Sequence, residues 1–436
     1  MNHHTTSDLS DPAPYHLESV GSGAVFPDHD WMLDPPDEPA TLLRAVYERR
    51  QLRLRGPGHG LYTFADWLPL RRQLQGSAAP VSYRSSGLAG ALGLDDLWIT
   101  FSGYWPERAA LMRTCSFKET EAFAVCGRLK AGLDKVLVVA SAGNTARSFA
   151  RVCSDNGIPL LLCIPEENMD ALWFDKPLAA CVKVLATAAG SDYYDAIHLS
   201  NLACRVEGFL PEGGARNVAR RDGMGTTVLS AVTTAGRIPD YYFQAVGSGT
   251  GAIAAWEANL RLIADGRFGH TKMKLMLSQN APFQPMTDAW RLKSRQLPAM
   301  DEDEARRLAG KIDAKVLSNR KPPYSVRGGL FDALSDAGGQ MLAITNDEAR
   351  KASSLFQEKE GIDIHPAAAV AVASLIQALE NGDIGRKTMI MLNITGGGEA
   401  KFKETFPLIY AKAETIIPID PEPDFVREIL IKLDFS

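Results

Sequence analysis

Two hydrophobic rhythms take turns along this chain. Short aliphatic and β-branched runs, Leu97 to Phe101, Lys135 to Ala140, Leu160 to Pro165 and Val182 to Ala186, predict strands. Between them, helical spacing predicts helices over Ser116 to Leu129, Thr145 to Asp155 and Tyr193 to Val206. A long helix over Met224 to Gly236 then leads into a strand at Tyr241 to Val246, a glycine loop at Gly247 to Gly251, a helix reaching Ala264 and a strand at Lys272 to Ser278. Such alternation builds parallel sheets covered by helices, so the fold class is α/β. Outside this pattern, residues 1–40, rich in Asp and Pro, read as an extended arm, and Ala40 to Arg50 as a first helix. The stretch Leu297 to Tyr324, charged and then Pro-rich, reads as a surface excursion.

Composition narrows the function classes. At roughly 150 residues per domain, a length of 436 suggests two or three domains, with room for a cleft between lobes. The 47 basic and 52 acidic residues leave a net charge of -5, without the concentrated basic surface that nucleic acid or an anionic membrane requires. Apolar runs such as Val136 to Ala140 and Leu160 to Ile164 are far shorter than the roughly 20 residues that span a bilayer. None of the six cysteines forms a C-x2-4-C hook and the eight histidines are scattered, which argues against a structural metal. Met1 to Ser10 has no secretory pattern, so reduced thiols and a cytoplasmic location are expected. The 37 glycines exceed the usual share of roughly 7% and point to places where backbone approaches a ligand.

Four segments carry candidate chemistry. In Thr114 to Glu119, Lys118 stands in the opening turn of a helix, where partial burial and the helix dipole ease loss of its proton and let it attack an aldehyde. In Ser141, Ala142, Gly143, Asn144 and Thr145, small residues at a strand end and free N–H groups at a helix start suit a carboxylate, although a plain helix cap explains them too. The loop Gly247, Ser248, Gly249, Thr250 and Gly251 offers backbone donors and two hydroxyls to a phosphate. A dinucleotide fold would instead need G-x-G-x-x-G and an acidic residue after the next strand, where this chain has Ser278, Gln279 and Asn280. Leu392 to Gly398 is another strand running into glycines, with Thr395 at its end.

In this order the segments resemble the fold type II pyridoxal phosphate enzymes, the family of tryptophan synthase β chain, threonine synthase and cysteine synthase. Gly60 to Pro69, Phe101 to Arg108 leading to Lys118, Pro211 to Arg220 and Phe243 to Gly251 are similar to the cysteate synthase branch, over about Arg44 to Lys403. Threonine synthase proper usually reads S-F-K-D-R at the lysine, where this chain has Glu119 and Thr120. The resemblance implies two lobes with parallel sheets and pyridoxal 5'-phosphate in the cleft between them. Its domains would be an arm and helix over 1–80, a large cofactor-binding domain over 81–127 and 226–436, and a smaller mobile substrate domain over 128–225. Lys118 would hold the cofactor covalently. Asn144 would face its ring hydroxyl and Gly247 to Gly251 its phosphate, while Ser141 to Thr145 would take the substrate carboxylate and Thr395 would face the pyridine nitrogen. A neutral hydroxyl there makes the ring a weaker electron sink, which favours replacement at the side chain over transamination.

The implied reaction replaces the phosphate of O-phospho-L-serine by sulfite, with Lys118 as general base. Both anions need cations: Arg216, Asn217 and Arg220 are the first choice, Arg113 and Arg147 the second. Tyr104 and Trp105 read as a cleft wall or as core, and Cys115 lacks a histidine partner in sequence for a nucleophilic role. Alternatives are threonine synthase, another β-replacement with a different nucleophile, and a non-catalytic binding protein. A homo-oligomer, a dimer, is expected.

Overall fold

The computed structural model describes residues 14–435 except Asp30, Pro57, Leu133 and Ala142. Two mainly parallel sheets organise it. The larger has six strands in the order Gln340–Ile344, Lys274–Asn280, Tyr241–Ala245, Met389–Ile394, Asp96–Phe101 and Val81–Arg84, of which the last runs antiparallel. The smaller has five parallel strands in the order Phe209–Pro211, Val136–Ala140, Leu160–Pro165, Val182–Thr187 and Thr415–Ile417. Leu160–Pro165 and Met389–Ile394 are buried at every position, as expected of strands covered on both faces.

Strand order fixes where a ligand can sit. In the larger sheet the chain runs outward from Tyr241–Ala245 to Gln340–Ile344 and then crosses back to place Met389–Ile394 on the other side of Tyr241–Ala245. In the smaller sheet, the corresponding reversal lies between Val136–Ala140 and Phe209–Pro211. Crevices open at the carboxyl ends of strands at such switch points. The segments that follow these four strands are the glycine loop, Thr395 to Gly398, Ser141 to Thr145 and Glu212 to Gly214.

Several sequence-based expectations change. Ala40 to Arg50 is not a helix. Leu43, Ala45 and Tyr47 are buried while Arg44 and Val46 are partly exposed, a period of two that makes Leu43–Tyr47 a strand. It pairs antiparallel with Tyr15–Ser19, which also pairs with Val25–Phe26, so the described part of the arm belongs to a three-stranded sheet. The excursion at 297–324 is no mere surface loop: Ile312, Ala314, Leu317 and Tyr324 are buried, and it includes the helix Glu302–Ala309. The helix expected from Met224 begins at Val218, capped by the Asn217 side chain, which puts Arg220 in its first turn. Residues after about 408 do not all stay with the larger sheet. Thr415–Ile417 extends the smaller one, and Pro423–Lys432 packs on Tyr193–Ala203. Helix Lys118–Arg128 likewise contributes Ala122, Phe123, Val125 and Cys126 to the core that holds Leu160 and Leu162 of the smaller sheet.

Candidate active site

A cleft lined from the carboxyl ends of both sheets gathers most of the candidates. Lys118, Ser141, Gly143, Asn144, Thr145, Arg220, Gly247, Ser248, Gly249, Gly251 and Thr395 all line it. Ala142 lies outside the described residues. Lys118 is the first residue of helix Lys118–Arg128, and the turn before it is pinned across the cleft floor: Phe117 N donates to Thr395 O at 2.9 Å and Gly397 N to Cys115 O at 3.0 Å. Glu119 holds the same turn, its carboxylate accepting from the Thr114 N–H and hydroxyl, each at 2.9 Å. Burial drives the Lys118 pKa below the ordinary lysine range, and the Glu121 carboxylate opposes that shift at 3.3 Å from Nζ.

The glycine loop has the form of an anion cradle. Gly249 has φ +78° and directly precedes helix Thr250–Asp265, whose first N–H groups have no partner within the helix. Ser248 Oγ lies 2.9 Å from Thr250 Oγ1. A Cβ on Gly247 would sit 2.7 Å from Val316 O, so only bare backbone fits there, and one on Gly251 would stand 2.6 Å from Gln244 Nε2. With the buried amine of Lys118 and the neutral hydroxyl of Thr395 at the same cleft, these residues fit pyridoxal phosphate.

The cationic candidates divide. Arg220 lines the cleft, between Glu121 (3.1 Å) and Glu212 (2.6 Å), and its Nε has no hydrogen-bond partner. Arg216 instead forms a half-exposed surface pair with Asp34 at 2.7 Å. Asn217 caps its helix, accepts from Arg128 Nη1 at 2.9 Å and donates to Glu212 O at 2.8 Å. Arg113 pairs with Asp175, away from the cleft lining. Arg147 is a buried clamp: it donates to Thr114 O, Ala171 O and Asn144 Oδ1 and lies 4.0 Å over the Trp173 ring. It orients Asn144 and does not itself line the cleft. Tyr104 and Trp105 are core, packed on Phe402 and Phe101 respectively. Cys115 is fully buried, which pushes its thiol pKa well up and removes thiolate character.

Among the lining residues, Tyr193, Gln244, His365 and the segment Lys315 to Asn319 were given no site role from the sequence. Glu121, which anchors Lys118 and Arg220, was also missed. Its signal was there, because a carboxylate three residues after a helical lysine shares its face.

Site and fold together define a pyridoxal-phosphate dependent enzyme of fold type II. The family model described as pyridoxal-phosphate dependent enzyme matches residues 87–396. The chain is 48% identical over 383 residues to a protein named cysteate synthase from Methanosarcina mazei, covering 87% of this chain and 92% of that one. It is 50% identical over 391 residues to the cysteate synthase of Methanoculleus marisnigri, covering 89% and 90%. The chain belongs to the cysteate synthase family. Solved structures share the fold at low identity: maize serine racemase (TM-score 0.56, 12% identical, 75% of this chain and 92% of that one) and tomato (Solanum lycopersicum) threonine deaminase isoform 2 (TM-score 0.53, 17%, 75% and 87%).

Proposed function

We propose that this enzyme converts O-phospho-L-serine and sulfite to L-cysteate and phosphate. The observation that carries this reading is identity of 48–50% to cysteate synthases over most of the chain, joined to the gathering of Lys118, both loops and Thr395 on one cleft. Bound pyridoxal phosphate supplies an electron sink conjugated to the substrate α-carbon. Lys118 holds the cofactor and, once freed by substrate, takes the α-proton on Nζ. The N–H groups of Ser141 to Thr145 bind the substrate carboxylate, and Asn144, fixed by Arg147, faces the cofactor ring hydroxyl. Gly247 to Gly251 hold the cofactor phosphate, and Thr395 meets the pyridine nitrogen without protonating it. Arg220 is the cation for the leaving phosphate and incoming sulfite. Arg216, Asn217 and Arg113 do not line the cleft and are left out of the substrate site.

The elements on the five-stranded sheet form a smaller lobe that closes over substrate, with Lys315 to Asn319 at the mouth. The enzyme works in the cytoplasm as a homodimer. Among the described residues no helix is long and apolar enough to cross a membrane. Purified enzyme incubated with phosphoserine and sulfite should release phosphate and form cysteate in equal amounts. Phosphate release without cysteate, or turnover of O-phosphohomoserine instead, overturns the assignment; sedimentation checks the dimer.

A further inference from the structure

Behind the amine of Lys118 runs a row of alternating charges contributed by three elements. Lys118 Nζ lies 3.3 Å from Glu121 Oε2, one turn along the same helix. Glu121 Oε1 accepts from Thr145 Oγ1 at 3.0 Å and lies 3.1 Å from Arg220 Nη2 on helix Val218–Ala235. Arg220 Nη1 in turn meets Glu212 Oε2 at 2.6 Å, just after strand Phe209–Pro211. Glu121 is fully buried, Glu212 is 7% exposed and Arg220 12%. Tyr193, at the start of helix Tyr193–Ala203, completes this wall, and His365, beside Glu399, lies on the cleft lining as well.

A carboxylate with no solvent contact is stable only where hydrogen bonds and opposite charge replace water. Glu121 divides that work. Thr145 and Arg220 hold one oxygen, and the other faces Lys118. Any event that removes charge from Nζ weakens the second contact, and any event that returns a proton to Nζ restores it.

We propose that Glu121 is a positioning residue for the reaction: it aims the Lys118 amine into the cleft and stabilises the ammonium that forms when Nζ takes the substrate α-proton, while Arg220 and Thr145 fix Glu121 from behind. This rests on the reading of Lys118 as the cofactor lysine. In the step concerned the α C–H bond breaks, an N–H bond forms on Nζ, and the electron pair left on carbon passes into the cofactor ring. Burial and Arg220 both favour neutral Nζ, and Glu121 is the opposing influence, supported at longer range by Glu212. Without Glu121 the amine would still add to an aldehyde but would be a weaker base and a less directed one.

The test titrates Lys118 itself. Full-length protein freed of cofactor is labelled with acetic anhydride across a pH series, and acetylation of Lys118 is read by peptide mass spectrometry. Glu121→Gln should move the midpoint down by at least about one pH unit, about a tenfold change in the neutral fraction at a fixed pH. Glu121→Asp should return it toward wild type. Glu212→Gln, a second variant should Glu121→Gln fail to fold, should give a smaller shift in the same direction. Steady-state turnover of Glu121→Gln should fall in kcat more than it rises in KM. An unchanged or raised midpoint in Glu121→Gln, or in Glu212→Gln should that variant alone fold, overturns the proposal. Borohydride reduction of the wild-type holoenzyme separates the two readings: cofactor fixed to a lysine other than Lys118 defeats the assignment of Lys118, whatever Glu121 does.

Discussion

Substituting Gly223 by Ala should weaken this protein, although the same change inside an ordinary helix strengthens one. Gly223 lies in helix Val218–Ala235 where it crosses helix Lys118–Arg128, and an added Cβ would stand 2.5 Å from Thr120 O and 2.8 Å from the Ala124 Cβ. Non-bonded carbon contacts settle at about 3.5 Å, so the two helices would have to part by about 1 Å. Overpacking of this kind costs about 1–3 kcal/mol. Helix propensity returns about 1 kcal/mol on replacing Gly by Ala. The net expectation is a loss of up to about 2 kcal/mol, read as a lower urea midpoint with unchanged slope. The displacement also reaches the chemistry, since Lys118 and Arg220 open these two helices and Glu121 joins them. A misplacement of about 1 Å can cost on the order of a hundredfold in rate, so turnover should fall in samples that remain folded. A raised urea midpoint with normal turnover would show that the helices do not touch at Gly223 and would refute the reasoning.

Lys118→Ala should abolish covalent attachment of pyridoxal phosphate, seen as loss of the borohydride-fixed mass increment, together with turnover. Arg147→Ala leaves Thr114 O, Ala171 O and Asn144 without their buried donor and should cost about 3 kcal/mol or more. Arg216→Ala breaks an exposed pair and should change the unfolding free energy read from urea melts by less than about 0.5 kcal/mol. Burial raises the pKa of Glu119 from 4.5 to about 7, so its contribution to stability is complete below about pH 4.5 and is lost as pH rises through 7. Glu119→Gln should therefore gain on wild type over that interval in urea melts at stepped pH. Burial opposes ionisation of Glu399, but His365 and Lys403 beside it prevail and bring its pKa down to about 2, so its contribution holds above about pH 4.5 and disappears as pH falls through 2. Glu399→Gln should narrow its deficit to wild type over that range.

What the sequence disclosed depended on whether the physics was local. The strand and helix rhythm from Leu97 to Ser278 is set by neighbouring side chains, and its elements lie within a few residues of those expected, apart from the start of helix Val218–Ala235. Leu43–Tyr47 failed because its partner, Tyr15–Ser19, lies across a long loop and its burial comes from that pairing. Thr415–Ile417 could not be assigned to the smaller sheet from sequence, since its neighbour Val182–Thr187 lies more than two hundred residues earlier. The arginines show the same limit. Arg216 and Arg220 are four residues apart and both suited to an oxyanion, yet Arg216 turns to Asp34 and Arg220 to the cleft.

The cleft depends on the two strand-order reversals more than on any single motif. Each reversal leaves two strand ends side by side, and each of the four ends carries a loop with glycine or small residues. The glycine loop and Thr395 belong to one reversal, the Asn144 loop and Glu212 to the other. Lys118, in helix Lys118–Arg128, is tied to the first by the Phe117–Thr395 hydrogen bond and to the second through Glu121, Thr145 and Arg220. The amine is therefore held from both sheets at once.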